Sequence, residues 1–145
     1  MLSFLLLCVG ASATAQPGPT VPLPEGTKVL KDLAYVPGGH ERQRLDLYLP
    51  PGGSRWPLVV SIHGGAFRMG SKDGEPSRSA GAFVARGFAV AAISYRLAPQ
   101  ALWPAQRDDT LAAIGWLKAH APALGLDARR RGRARCDRRP RCRSR

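Results

Sequence analysis

Leu58 to Ile62 (LVVSI) and Phe88 to Ser94 (FAVAAIS) are two short, nearly continuous apolar runs, and the stretch between them contains one segment of helical spacing. A strand with one wetted face alternates apolar and polar residues, whereas a strand covered on both faces has no reason to. Two such runs joined through a helix predict a βαβ unit in the parallel part of a sheet. The joining helix is expected between Ser77 and Arg86, on the pattern Ala80, Phe83, Val84, with Gly87 at its C-terminal end.

The residues before this unit read differently. KVLKDLAYV ahead of Pro37-Gly38-Gly39, and RQRLDLYLP ahead of Pro51-Gly52-Gly53, each give a short alternating stretch bounded by turn residues. In the second, Leu45, Leu47 and Leu49 share one face and Asp46 and Tyr48 the other, which predicts a half-buried antiparallel strand. After the loop YRLAPQALWP a long amphipathic helix is expected, with Pro104 near its first turn, Leu111, Ile114, Trp116 and Leu117 facing inward, and its end near Pro122. Gly125-Leu126-Asp127 reads as a turn that feeds a further strand. The order implies an α/β fold, a mostly parallel sheet with helices on both faces and an antiparallel start; no internal repeat is visible.

Charge adds a second constraint. The 145 residues carry a net charge of +12, which on a uniform surface would suggest an acidic partner such as nucleic acid or a membrane. The charge is not uniform: Asp127 to Arg145 contains ten Arg and two Asp, so the body of the chain is close to ordinary. At the other end, LSFLLLCVGASATAQPG is an apolar run too short to span a bilayer, closing on the small-x-small pattern Ala13-Thr14-Ala15. It is expected to be a secretory signal cleaved after Ala15, although no Lys or Arg precedes the apolar run; the protein is then secreted or periplasmic. Cys8 falls in that segment, and Cys136 and Cys142 in the arginine-rich one, so the body holds no disulfide framework. The expected organisation is a signal over 1–15, a Pro/Gly-rich linker over 16–27, an α/β domain over 28–127 and a disordered or out-of-frame Arg-rich tail over 128–145.

The first apolar run ends in His63-Gly64-Gly65, followed by Ala66 and Phe67. Two glycines permit a sharp turn and a close approach of backbone N–H groups to something outside the chain. A plain glycine turn would use the same residues. Taken with the downstream segments SYRLAPQALWP and AQRDDTLAAIGWLKAHAPALGLD, the stretch from Val59 to Asp127 resembles the N-terminal half of the α/β-hydrolase esterases related to hormone-sensitive lipase and the BD-FAE-like feruloyl esterases.

That resemblance implies that Gly64 and Gly65, with Ala66 where relatives often have a third glycine, supply an oxyanion hole. Acyl transfer places negative charge on a carbonyl oxygen, and each donor aimed at it in advance is worth about 3–4 kcal/mol. The resemblance gives His63 the task of shaping the loop, not of acting as catalytic base. It also suggests that Tyr95, Arg96 and either Asp108 or Asp109 support the loop, one of the two carboxylates pairing with Arg96. Carboxylates in the first turn of a helix need no such explanation, because the helix dipole favours them there. His40 in a Gly-rich turn and His120 at a helix end are given no chemical role.

A serine hydrolase of this kind needs a Gly-x-Ser-x-Gly elbow, an acid and a base. No Gly-x-Ser-x-Gly occurs in the 145 residues; the chain reads ARRRGRARCDRRPRCRSR where the elbow strand is expected. No strand is expected from that run, whose composition is that of GC-rich DNA translated out of frame. The expectation is therefore a carboxylic ester hydrolase of small-molecule esters by family, represented by an inactive truncated or frameshifted portion without nucleophile, acid or base. It needs no metal or cofactor, and implies no nucleic acid partner and no stable membrane anchor. The alternative is a non-catalytic basic module that binds nucleic acid or anionic lipid through its arginines.

Overall fold

A computed structural model describes residues 20–131. The expected signal with Cys8 and all but the first four residues of the arginine-rich segment, Cys136 and Cys142 included, lie outside the described residues. Seven elements follow one another: β1 (Lys28–Ala34), β2 (Arg44–Leu49), β3 (Trp56–Ile62), α1 (Glu75–Val84), β4 (Ala89–Ile93), α2 (Ala105–His120) and β5 (Leu126–Arg131). The strands form one sheet in the order β1-β2-β4-β3-β5. β1 pairs antiparallel with β2 and β2 antiparallel with β4; β4 and β5 flank β3 in parallel. Parallel pairing is thus confined to β4, β3 and β5.

Alternation along the strands divides the core in two. Leu45, Leu47 and Leu49 of β2 with Ala89, Ala91 and Ile93 of β4 pack against Ala113, Leu117 and Ala121, on the α2 side. Tyr48, Val90 and Ala92 face the other way, onto Ala80 and Val84 of α1. The helices therefore cover opposite faces, and each fully buried Leu or Val contributes about 1.5–3 kcal/mol by leaving water. Small Ala side chains along β4 let both helices come close to the sheet, and no residue of β4 is exposed. Val21 and Pro22, in the expected linker, lie across α1 at Gly81, where a Cβ would collide with the Val21 carbonyl oxygen.

Five expectations change. β2 is buried on both faces, not half-exposed, because Asp46, 1% exposed, is neutralised where it sits by Lys72. β3 is only half-buried along its length, with Ile62 at 46% exposure, although its apolar run suggested full cover. α1 begins two residues earlier than its apolar pattern implied, at Glu75 with Pro76 in the first turn, where a missing N–H costs nothing. α2 turns Gln106, Asp109, Ala113 and Leu117 inward, and Leu111, expected inside, is 59% exposed. Finally, β5 extends through Ala128 and the first three arginines of the run, Arg129 to Arg131, hydrogen-bonded in parallel to β3. Backbone pairing to β3 does not depend on side-chain hydropathy, so the arginine run is compatible with an edge strand. Among the described residues no helix is long and apolar enough to cross a membrane.

Candidate active site

The loop after β3 is built around one acceptor. Arg68 N–H and Met69 N–H both donate to Gly65 O, at 3.0 and 3.2 Å, closing a tight turn. To reach it the backbone takes positive φ at three consecutive residues, +115° at Gly65, +50° at Ala66 and +62° at Phe67. Only glycine adopts the first without strain, and a Cβ there would overlap the Met69 carbonyl oxygen. Gly64 is different: a Cβ on it meets nothing within 4 Å. The N–H groups of Gly64, Gly65 and Ala66 make no hydrogen bond among the described residues. Three successive N–H groups without an internal partner, on a turn whose own bonds are satisfied by other donors, are free to meet a ligand atom.

Several contacts hold this turn. His63 is 5% exposed and stacks on Tyr95, with ring centroids 4.1 Å apart. Its Nδ1 lies 2.8 Å from Gly64 O; a carbonyl can only accept, so Nδ1 carries a proton, and in the neutral ring Nε2 carries none. Burial, helped by the Arg42 charge and opposed by the Gly64 carbonyl, pulls the His63 pKa below the ordinary histidine value. Gly70 closes the loop over this ring, where a Cβ would come within 2.5 Å of His63 Nδ1. Phe67 O accepts from Ala98 N–H at 2.8 Å, joining the loop to the segment after β4.

Two cations absent from the sequence reading tie the loop down. Arg42, between β1 and β2, donates through Nε to Tyr95 O at 3.1 Å and through Nη2 to Gly70 O. Lys72 places Nζ 3.1 Å from carboxylate oxygens of Asp32, Asp46 and Asp73. Its backbone N–H donates to Ser94 Oγ and its carbonyl accepts from Ser77 Oγ. Burial works against the Lys72 charge, but the three carboxylates overcome it and raise its pKa. Asp32 reaches the cluster through a bulge in β1 with φ +56°, its N–H donating to Asp46 Oδ1 at 2.8 Å. The sequence offered one hint, an unusual Asp46 opposite the leucines of β2; its partner is 26 residues away.

Asp108 and Asp109 separate cleanly. Asp109, 2% exposed, takes Arg96 Nε and Nη2, the Arg96 backbone N–H and Gln43 Nε2, at 2.7 to 3.2 Å. Burial alone would raise its pKa, but these donors together hold it below the ordinary aspartate value of 3.8. Asp108 points outward and pairs with Arg107. His40 and His120 sit on the surface in local contacts, His120 stacked on Trp116. The described residues hold no cluster of His, Cys, Asp or Glu arranged for a metal.

An α/β sheet in this strand order, helices on opposite faces and a glycine turn after β3 with unpaired N–H groups are the start of an α/β-hydrolase domain. The chain belongs to the BD-FAE family, whose model matches residues 45–132. It is 38% identical over 104 residues to the ethyl acetate hydrolase of Pseudomonas putida, covering 70% of this chain and 33% of that protein. It is 40% identical over 75 residues to the carboxylesterase NlhH of Mycobacterium tuberculosis, covering 51% of this chain and 23% of that one. Among solved structures it superposes on esterase B from Lactobacillus rhamnosis with a TM-score of 0.66 at 28% identity, over 73% of this chain and 34% of that one. The chain thus spans a third or less of the length of these curated relatives.

Proposed function

We propose that this chain carries the oxyanion-binding part of a carboxylic ester hydrolase that works through an acyl-serine intermediate on small-molecule esters. The observation that carries the reading is the turn in which Gly64, Gly65 and Ala66 leave three adjacent N–H groups without acceptors while Gly65 O, His63 and Gly70 fix its shape. Such donors stabilise charge that exists only as the carbonyl is attacked, so they lower the barrier without tightening the ground state. In this reading His63 shapes the loop and is not the base: its Nδ1 donates to Gly64 O of its own turn and its ring stacks on Tyr95. Arg96, Asp109, Arg42 and Lys72 are positioning residues in this reading, and Asp108 has no part in it. Export is proposed on the Ala13-Thr14-Ala15 pattern alone.

The test is a chimera in which residues 20–126 replace the matching portion of the Pseudomonas putida ethyl acetate hydrolase. Turnover of ethyl acetate within about tenfold of the parent, a barrier difference of about 1.4 kcal/mol, supports the reading. A chimera that melts cooperatively and has no turnover overturns it.

A further inference from the structure

The loop that begins at His63 is held at its far end by Lys72, and different elements converge on that one residue. Ser94, just after β4, accepts the Lys72 N–H at 2.9 Å, while Asp32 of β1 and Asp46 of β2 meet its Nζ. From α1 comes a single contact of this kind. Ser77 Oγ donates to the Lys72 carbonyl at 2.6 Å, the only hydrogen bond between α1 and residues 63–72 among the described residues.

That bond has a direction. A carbonyl only accepts, so the one Ser77 proton is spent on Lys72 O, and Tyr48 Oη, 2.8 Å away, donates to Ser77 Oγ. Tyr48 is buried, its ring in the core with Ala80 and Val84 of α1 and Val90 and Ala92 of β4. A fixed ring thus anchors a chain of two hydrogen bonds that runs from β2 through α1 to the loop. The helix itself does not ask for serine here. Gly74 is the N-cap of α1 and no side chain caps the helix, so the Ser77 hydroxyl is not a cap, and alanine forms helix better than serine. The hydroxyl instead points back five residues, to the loop. Two residues before Lys72, Gly70 lies against the His63 ring, where a Cβ would come within 2.5 Å of Nδ1. Moving Lys72 therefore moves Gly70, and with it the ring that starts the glycine turn.

We propose that Ser77 is a positioning residue for the glycine turn, its hydroxyl transmitting the fixed position of Tyr48 to Lys72 and so to the N–H groups of Gly64, Gly65 and Ala66. The catalytic side of this role rests on the ester hydrolase reading, whereas the mechanical side does not, and the experiment reads the two separately.

The mechanical arm is amide hydrogen exchange on the full 145-residue chain. In Ser77→Ala the Met69 amide, bonded to Gly65 O, and the Lys72 amide, bonded to Ser94 Oγ, are expected to exchange about tenfold faster, the factor for one neutral hydrogen bond, while Val90 and Ala91 of β4 keep the parent rate. Ser77→Thr keeps the hydroxyl and should return both amides to within about twofold of the parent. Tyr48→Phe, which keeps the core filled and removes only the donor to Ser77, should accelerate the same two amides by about threefold, so the proposal can fail even where Ser77→Ala does not fold. The catalytic arm is the chimera, in which Ser77→Ala should lower kcat by about tenfold with KM within twofold, and Ser77→Thr should restore it. Equal acceleration in β4, unchanged exchange at Met69 and Lys72, no rescue by threonine, or a loss carried by KM would each overturn the proposal. A parent chimera without turnover counts against the ester hydrolase reading instead, and the exchange rates still decide whether Ser77 holds the turn.

Discussion

The His63 and Tyr95 rings stack at 4.1 Å with 14° between their planes, and Tyr95 Oη donates to the His63 carbonyl at 3.0 Å. One side chain thus fixes both the ring and the backbone of the residue that starts the glycine turn. Tyr95→Phe keeps the stack and strands the His63 carbonyl, with an expected loss of about 1–3 kcal/mol in a urea melt. Tyr95→Ala removes the stack as well and opens a cavity, and should cost about 3–5 kcal/mol. A Phe variant as stable as the parent would mean that the hydroxyl contributes nothing to the loop.

The two glycines should behave differently. Gly65 has positive φ and no room for a Cβ, so Gly65→Val strains the turn and misaims its N–H groups. In the chimera it should lower kcat by on the order of 100-fold with KM little changed, the signature of a lost transition-state interaction. Gly64 has open space around it, so Gly64→Ala should cost less than about tenfold. Equal effects at both positions would contradict this geometry.

For His63, the expected signature is in the pH profile. His63→Ala in the chimera should lower turnover through a looser loop, while the pH at which activity rises stays where it was. A shift or loss of that limb would make His63 the base.

Asp109 gives a pH-dependent stability. Its pKa is depressed in the folded protein, so its contribution is fully present above the unfolded value of 3.8 and is lost as the pH falls through the lower native value. In Asp109→Asn the melting temperature should therefore fall less steeply with acid than in the parent, and the two curves should converge as the pH falls through that lower native value. At neutral pH the variant should be about 2–4 kcal/mol less stable, because Arg96 loses a buried partner. Asp108→Asn, at an exposed pair, should change stability by less than about 0.5 kcal/mol.

Lys72→Met leaves Asp46, 1% exposed, without its cation. The expected loss in a denaturant melt is about 3–5 kcal/mol. Adding Asp46→Asn to it should restore part of that loss, since the second change removes the uncompensated charge. No rescue in the double variant would mean that Lys72 acts by packing alone.

Periodicity and glycine placement are local properties, and from them the sequence determined the parallel pairing of β3 and β4, the full burial of β4 though not of β3, the helices on opposite faces and the turn after His63. Its resemblance to the esterases led to the Arg96 pairing. What the tertiary structure alone decided depends on register between distant segments. A helix turn of 100° per residue separates Asp108 from Asp109, and only the docked angle of α2 selects Asp109 for Arg96 and Gln43. Lys72 meets Asp32 and Asp46 because a bulge in β1 and the pairing of β1 with β2 bring both carboxylates to one Nζ. Arg42 reaches Gly70 across 28 residues, a contact that no local pattern encodes. Hydropathy misjudged Leu111 and the arginines of β5 for a related reason: burial follows from what packs against a residue, and a backbone ladder can pair a strand whatever its side chains.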